Sequence, residues 1–194
     1  MEEKGLLVVI SAPSGGGKTT IIRKLMRQIP RSARVVTTTT RSPRPQEKDG
    51  VDYYFIIPHE FAEKIRCDAF VEHVTYAGHA YGLEKEELEK KLRTHDVVFA
   101  LLEVRGEKRL DVLKIPHIAI FLVPESIEAL KKHIMGRGRM SSDTLKERLA
   151  IARQEIAASR GYDYRIFNRE GRIKETVERV LRVIMRRLDN KGRL

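Results

Sequence analysis

Leu6–Thr20, LLVVISAPSGGGKTT, restricts this chain more than any other stretch. Leu6, Leu7, Val8, Val9 and Ile10 read as a strand buried on both faces. Ile21, Ile22, Leu25, Met26 and Ile29 then recur at helical spacing, so a glycine turn joins a strand to a helix. That is the context a phosphate-binding loop requires. The N–H groups of Gly15, Gly16 and Gly17 can point inward without Cβ clashes, and the helix start adds its positive dipole. Lys18 would reach the β- and γ-phosphates, and the Thr19 hydroxyl would sit on Mg²⁺. The strict pattern G-x-x-x-x-G-K-[ST] meets Ala12 at its first position.

Composition bounds the partners. The 194 residues are enough for one domain with a real core, and 34% charged with 41% hydrophobic residues suits a globular chain. No apolar run reaches the roughly 18 residues of a membrane span, and the acidic start MEEKG is unlike a secretory signal. A single cysteine, Cys67, permits no internal disulfide, so a cytoplasmic, reducing location is expected. The net charge of +11 suits either nucleic acid or polyanionic small molecules. Basic residues are interleaved with Glu over the whole length, and no aromatic-rich basic strand is present, so nucleotides are favoured and neither nucleic acid nor membrane is expected.

In chain order, strands are expected at Val35–Thr40, Tyr53–Ile57, Phe70–Thr75, Asp96–Val104, Ala119–Val123 and Tyr164–Phe167. Helices are expected at Pro58–Arg66, Glu84–Arg93, Glu125–Met135, around Leu145, Leu149, Ala152 and Ile156, and from Ile173 to Leu188. Gly136–Ser142 is a basic loop, and Gly78 and Gly82 flank Tyr81. Alternating strands and helices argue an α/β fold with a parallel sheet covered on both faces. The strand-rich stretch from Val35 to Tyr81 is an insertion. His59, His73, His79, His95 and His117 form no metal-spaced cluster and are expected to be solvated or packed.

A second constellation follows. Arg41 and Arg44 stand on a chain stiffened by Pro43 and Pro45, at a separation suited to a phosphate monoester, because each guanidinium is a planar fork. Thr37 and the Tyr53 hydroxyl can complete such a cage. A solvated basic loop is the other reading of this segment.

Here the sequence resembles a family. SAPSGGGKTT, TTTTRSPRP-x-E-x-x-G-x-D-Y, Phe70-Val-Glu72-His, Gly78-x-x-Tyr81-Gly82, Gly136-Arg137-Gly138 and Arg148-Leu-Ala follow one another as in guanylate kinases, from Leu6 to about Val183. The resemblance implies a P-loop NTPase-like parallel sheet flanked by helices, with an inserted strand-rich GMP-binding subdomain and a short mobile lid. It implies one domain over 1–194, with a core of 1–33, 95–133 and 147–194, a GMP-binding region of 34–94 and a lid at about 134–146. ATP would lie on Ser14, Gly15, Gly16, Gly17, Lys18, Thr19 and Thr20, with Asn168 near adenine and Mg²⁺ at Thr19. GMP would lie on Thr37, Arg41, Arg44, Tyr53, Glu72, Tyr81 and Glu103. Glu72 would accept from guanine N1–H and the exocyclic amine, a pairing adenine cannot offer. Lys18, Arg41, Arg137 and Arg148 would carry catalysis by stabilising charge on the transferring group.

Several positions depart from the family's pattern. Leu83 replaces a Ser or Thr at the guanine, and Leu101-Leu102-Glu103 replaces Asp-x-Asp. His133 replaces an arginine one turn before the lid, and Arg169 replaces an acid after Asn168. The expected reaction is ATP + GMP ⇌ ADP + GDP. A kinase of the same fold with another phosphorylated acceptor, a non-catalytic guanylate-kinase-like binding module and a basic nucleic-acid binder are the alternatives.

Overall fold

A computed structural model describes residues 5–136 and 141–191. The elements, in chain order, are β1 (Leu6–Ser11), α1 (Lys18–Met26), β2 (Ser32–Arg34), β3 (Thr38–Thr39), β4 (Tyr54–Phe55), α2 (Pro58–Arg66), β5 (Phe70–Tyr76) and β6 (His79–Glu84). They continue with α3 (Lys85–Thr94), β7 (Val97–Leu101), α4 (Val104–Val112), β8 (Ile118–Pro124), α5 (Ile127–Met135), α6 (Ser142–Ala158), β9 (Tyr164–Asn168) and α7 (Ile173–Lys191). Two compact units emerge, Met1–Leu7 with Arg31–His117 and Val8–Pro30 with Ile118–Leu194. The architecture is α/β, with parallel strands covered by helices as the alternating pattern implies.

In the second unit β1 pairs in parallel with β8, and β8 in parallel with β9. Every residue of β1 is buried, as a central parallel strand requires. Asp163 fixes the start of β9 by accepting from the Ala119 N–H at 2.8 Å. Helix α7 buries Thr176, Val177, Val180 and Ile184 at helical spacing and packs on α1 and β9. Leu130 and Ile134 of α5 form a cluster with Ala152 of α6.

In the first unit β2 pairs in parallel with β7, and a separate four-stranded sheet runs β4-β3-β6-β5. The single strand expected over Val35–Thr40 is divided between these two sheets. The Val35 N–H still bonds the Phe99 carbonyl at 2.8 Å, whereas Thr38 and Thr39 pair with β6. Tyr53–Ile57 shortens to β4. The strand expected over Asp96–Val104 ends at Leu101, because Glu103 is the extended N-cap of α4, a helix absent from the sequence reading. β6 was also absent from that reading: Ala77 and Gly78, both at positive φ, close a two-residue hairpin between β5 and β6.

Gly82 makes that hairpin fit its helix. A Cβ at Gly82 would lie 2.6 Å from the Phe70 ring, and Phe70 stacks on Phe61 of α2 at 4.6 Å. Gly82→Ala is therefore predicted to destabilise the fold by about 1–3 kcal/mol through overpacking, measured by urea denaturation.

Candidate active site

The glycine loop lies wholly in the second unit. Gly15 and Gly17 have φ of +87° and +83°, and Gly17 caps α1 in the left-handed conformation that favours glycine. The Gly16 N–H donates to the Pro13 carbonyl at 2.8 Å, and a Cβ on Gly16 would come within 2.7 Å of the Ala12 methyl. Ala12 is thus accommodated because Gly16 has no side chain. The Lys18 ammonium folds back and donates to the Ala12 carbonyl. Thr19 is half-buried in the first turn of α1, Thr20 is exposed, and Ser14 is half-buried.

Asn168, at the end of β9, braces this loop. Its amide donates to the Gly16 carbonyl at 3.1 Å, and its Oδ1 accepts from Thr176 at 3.1 Å. A Cβ on Gly17 would lie 2.8 Å from the Asn168 amide nitrogen. Gly15 faces His133, Ile134 and Leu130 of α5. Arg148 is half-buried on α6, with its Nε buried and lacking a hydrogen-bond partner. Arg137 lies outside the described residues.

The first unit gathers the second constellation. Glu47 grips Arg41 through both carboxylate oxygens at 2.9 and 3.1 Å. It also accepts from the Arg44 N–H at 2.8 Å and lies 3.7 Å from the Arg44 guanidinium. The Arg41 guanidinium sits over Tyr53 at 5.4 Å and Phe55 at 5.8 Å, while the Tyr53 and Tyr81 rings meet edge-on at 6.0 Å. Burial opposes the Arg41 charge, but hydrogen bonds to Glu47 and Tyr81 outweigh it and raise the pKa. Burial also pushes the Tyr53 hydroxyl up, helped by Tyr81 and the charge of Glu103, so Tyr53 remains a neutral donor. Thr37 is buried just before β3, and its carbonyl accepts from the Tyr54 N–H at 3.0 Å. Both arginines are therefore tied to one carboxylate, with the Arg41 side chain largely buried and that of Arg44 partly exposed. Glu47, the acid of the motif RSPRP-x-E, holds both arginines, a role its place in that motif does not by itself reveal.

Glu72 is the other pole of this unit. A register shift between Phe70 and Glu72 sets it opposite Leu83, which is fully buried. Glu72 is 4% exposed, and its Oε2 is buried without a hydrogen-bond partner. It lies against α4 at Gly106, where a Cβ would approach Oε2 to 2.6 Å. Burial, and then the charge of Glu103, push its carboxyl up to about 8. The carboxyl is therefore buried against α4 with an acceptor oxygen, Oε2, that no protein donor satisfies.

The fold and the glycine loop are those of the P-loop class of nucleotide-binding α/β proteins. A family model described as guanylate kinase matches residues 4–187. Guanylate kinases of Listeria monocytogenes (37% identical, over 87% of this chain and 82% of theirs) and Synechocystis sp. (33%, over 93% and 94%) are similar in sequence. The crystal structure of guanylate kinase from Anaplasma phagocytophilum superposes with a TM-score of 0.77 at 26% identity, covering 96% of this chain and 88% of that one. The chain belongs to the guanylate kinase family.

A raised carboxyl pKa has a stability signature. Between pH 4.5 and about 8 the unfolded chain has lost a proton that folded Glu72 retains, so stability falls as pH rises through that window. Urea denaturation of wild type and Glu72→Gln across this range is expected to show the wild type losing ground steadily, then a constant difference above the window.

Proposed function

We propose that this chain transfers the γ-phosphoryl group of ATP to GMP, giving ADP and GDP, with dGMP as an alternative acceptor in the same step of purine nucleotide metabolism. The observation that carries this reading is the pairing, within one unit, of two arginines tied to one carboxylate with a buried, under-bonded carboxyl. Arg41 and Arg44 present forks to the GMP phosphate, with the hydroxyls of Tyr53 and Tyr81 as uncharged donors. Glu72 gives up its proton and accepts from guanine N1–H and the exocyclic amine; AMP offers no such donor pair and leaves the carboxyl unmatched.

On the ATP side, Lys18 exchanges the Ala12 carbonyl for β- and γ-phosphate oxygens, and the N–H groups of Gly15, Gly17 and Lys18 hold the phosphates, that of Gly16 being spent on the Pro13 carbonyl rather than pointing inward. The Thr19 hydroxyl, at the first turn after Gly17, suits Mg²⁺, a hard cation that takes oxygen ligands and keeps waters and phosphate oxygens around it. Bound there, the ion supplies charge neutralisation on the triphosphate. Arg148, with an unbonded Nε, and Arg137 close on the transferring group and exclude water. The chemistry needs alignment and positive field rather than a nucleophilic side chain. A free, exposed Cys67 suits a reducing cytoplasm, where ATP and GMP are available.

A coupled assay of ADP formation with GMP, dGMP, AMP, UMP and CMP tests the reading. GMP and dGMP are expected to be used preferentially; equal use of AMP would overturn it. Lys18→Ala should abolish transfer to every acceptor. Glu72→Ala should lower kcat/KM for GMP by roughly 10²-fold or more, and Glu47→Ala should raise KM for GMP about tenfold while leaving KM for ATP unchanged.

A further inference from the structure

Three side chains of the first unit that phosphoryl transfer leaves unused meet beside the C-terminal half of α4. Glu107 and Asp111 stand four residues apart and share a helix face. His117 returns to them after the loop that follows. Its Nε2 lies 3.7 Å from a Glu107 oxygen and 3.8 Å from an Asp111 oxygen, and one ligand atom from each residue falls within 4.8 Å of the other two. The side chains of Glu107 and His117 are only 4% and 5% exposed, whereas Asp111 opens to solvent at 62%. The cluster is thus walled on one side and accessible on the other.

The ring is oriented by a second partner. Its Nδ1 lies 2.8 Å from the Ile115 carbonyl oxygen, which can only accept, so Nδ1 carries the proton. In the neutral ring Nε2 then holds its lone pair toward the two carboxylates, the arrangement found in metal-ligating histidines. The rival occupant of Nε2 is a second proton. Burial opposes charge on the ring, but Glu107, Ile115 and Asp111 outweigh it. As an ion pair, however, the cluster is loose: 3.7 and 3.8 Å exceed the roughly 2.7–3.2 Å of an N–H···O bond. Around a tetrahedral ion with bonds of about 2.0–2.2 Å, ligand atoms stand about 3.3–3.6 Å apart, and both imidazole–carboxylate distances lie within a few tenths of an ångström of that range.

We propose that Glu107, Asp111 and His117 bind a divalent cation of the Zn²⁺ class, with a water at the fourth position. An imidazole nitrogen beside two carboxylates selects borderline first-row ions over Mg²⁺ and Ca²⁺, which prefer all-oxygen sets. The ion clips the loop 113–117 to α4, the helix whose first turn carries Glu103 and Gly106 against Glu72. It is a structural clip, separate from the Mg²⁺ that accompanies ATP.

The test uses the full chain without nucleotide. Co²⁺ is titrated while its visible d–d bands are followed, and Zn²⁺ binding is measured by calorimetry, for wild type, Asp111→Asn and His117→Gln. One ion per chain, four-coordinate Co²⁺ bands displaced by Zn²⁺, at least tenfold weaker binding in Asp111→Asn and loss of the bands in His117→Gln are expected. Zn²⁺ should also raise the Tm of the wild type only. Asp111 is exposed, so its variant keeps the experiment interpretable if His117→Gln folds poorly. No bands in the wild type, or equal binding by wild type and Asp111→Asn, would overturn the proposal.

Discussion

A carboxyl group sealed from water, with one oxygen left unbonded, is the constraint around which the first unit is built. Such a group is expensive to bury and is kept neutral by its surroundings. For Glu72 those surroundings are specific. The register shift in β5 aims it, Leu83 backs it without competing polar atoms, and Gly106 lets α4 approach where any Cβ would collide. Burial first, and then the negative charge of Glu103, the N-cap of that helix, raise the pKa of Glu72. Strand, hairpin and helix start thus converge on one acid whose unused acceptor capacity is destabilising until a donor arrives.

The same logic of preorganisation recurs at Glu47 and in the glycine loop. Glu47 holds the Arg41 guanidinium and the backbone N–H of Arg44 at once, so one carboxylate orders this stretch of chain. In the loop, Asn168 ties the Gly16 carbonyl to Thr176, and glycine at positions 15 and 17 supplies left-handed backbone. The loop is held from β9 and α7 as well as by its own turn.

Much of this was legible in the sequence, for physical reasons that can be named. A fully buried strand, three glycines and Lys-Thr at a helix start leave few alternatives, and β1 and α1 form where the pattern puts them. Proline stiffening drew notice to Arg41 and Arg44, and Glu47 ties the two together. What stayed hidden depended on contacts distant in sequence. A strand such as β6, carrying glycine at position 82, lacks the periodic signal, and its glycine is explained only by Phe70 across the hairpin. Helix α4 was obscured by Arg105-Gly106 at its start, and that glycine answers to Glu72. The register shift at Val71 has no sequence signature. Asn168 was expected near adenine, and its amide hydrogen bond runs to the loop itself. His117 looked isolated because Glu107 and Asp111 reach it only after α4 has folded.

The central claim is that Glu72 surrenders a proton when guanine arrives. Calorimetric binding of GMP at pH 7, in two buffers of different ionisation enthalpy, measures that proton directly. With a carboxyl near 8, the wild type should release roughly 0.9 proton more per GMP bound than Glu72→Gln, whose amide has none to lose. Equal proton release by the two proteins would contradict the account.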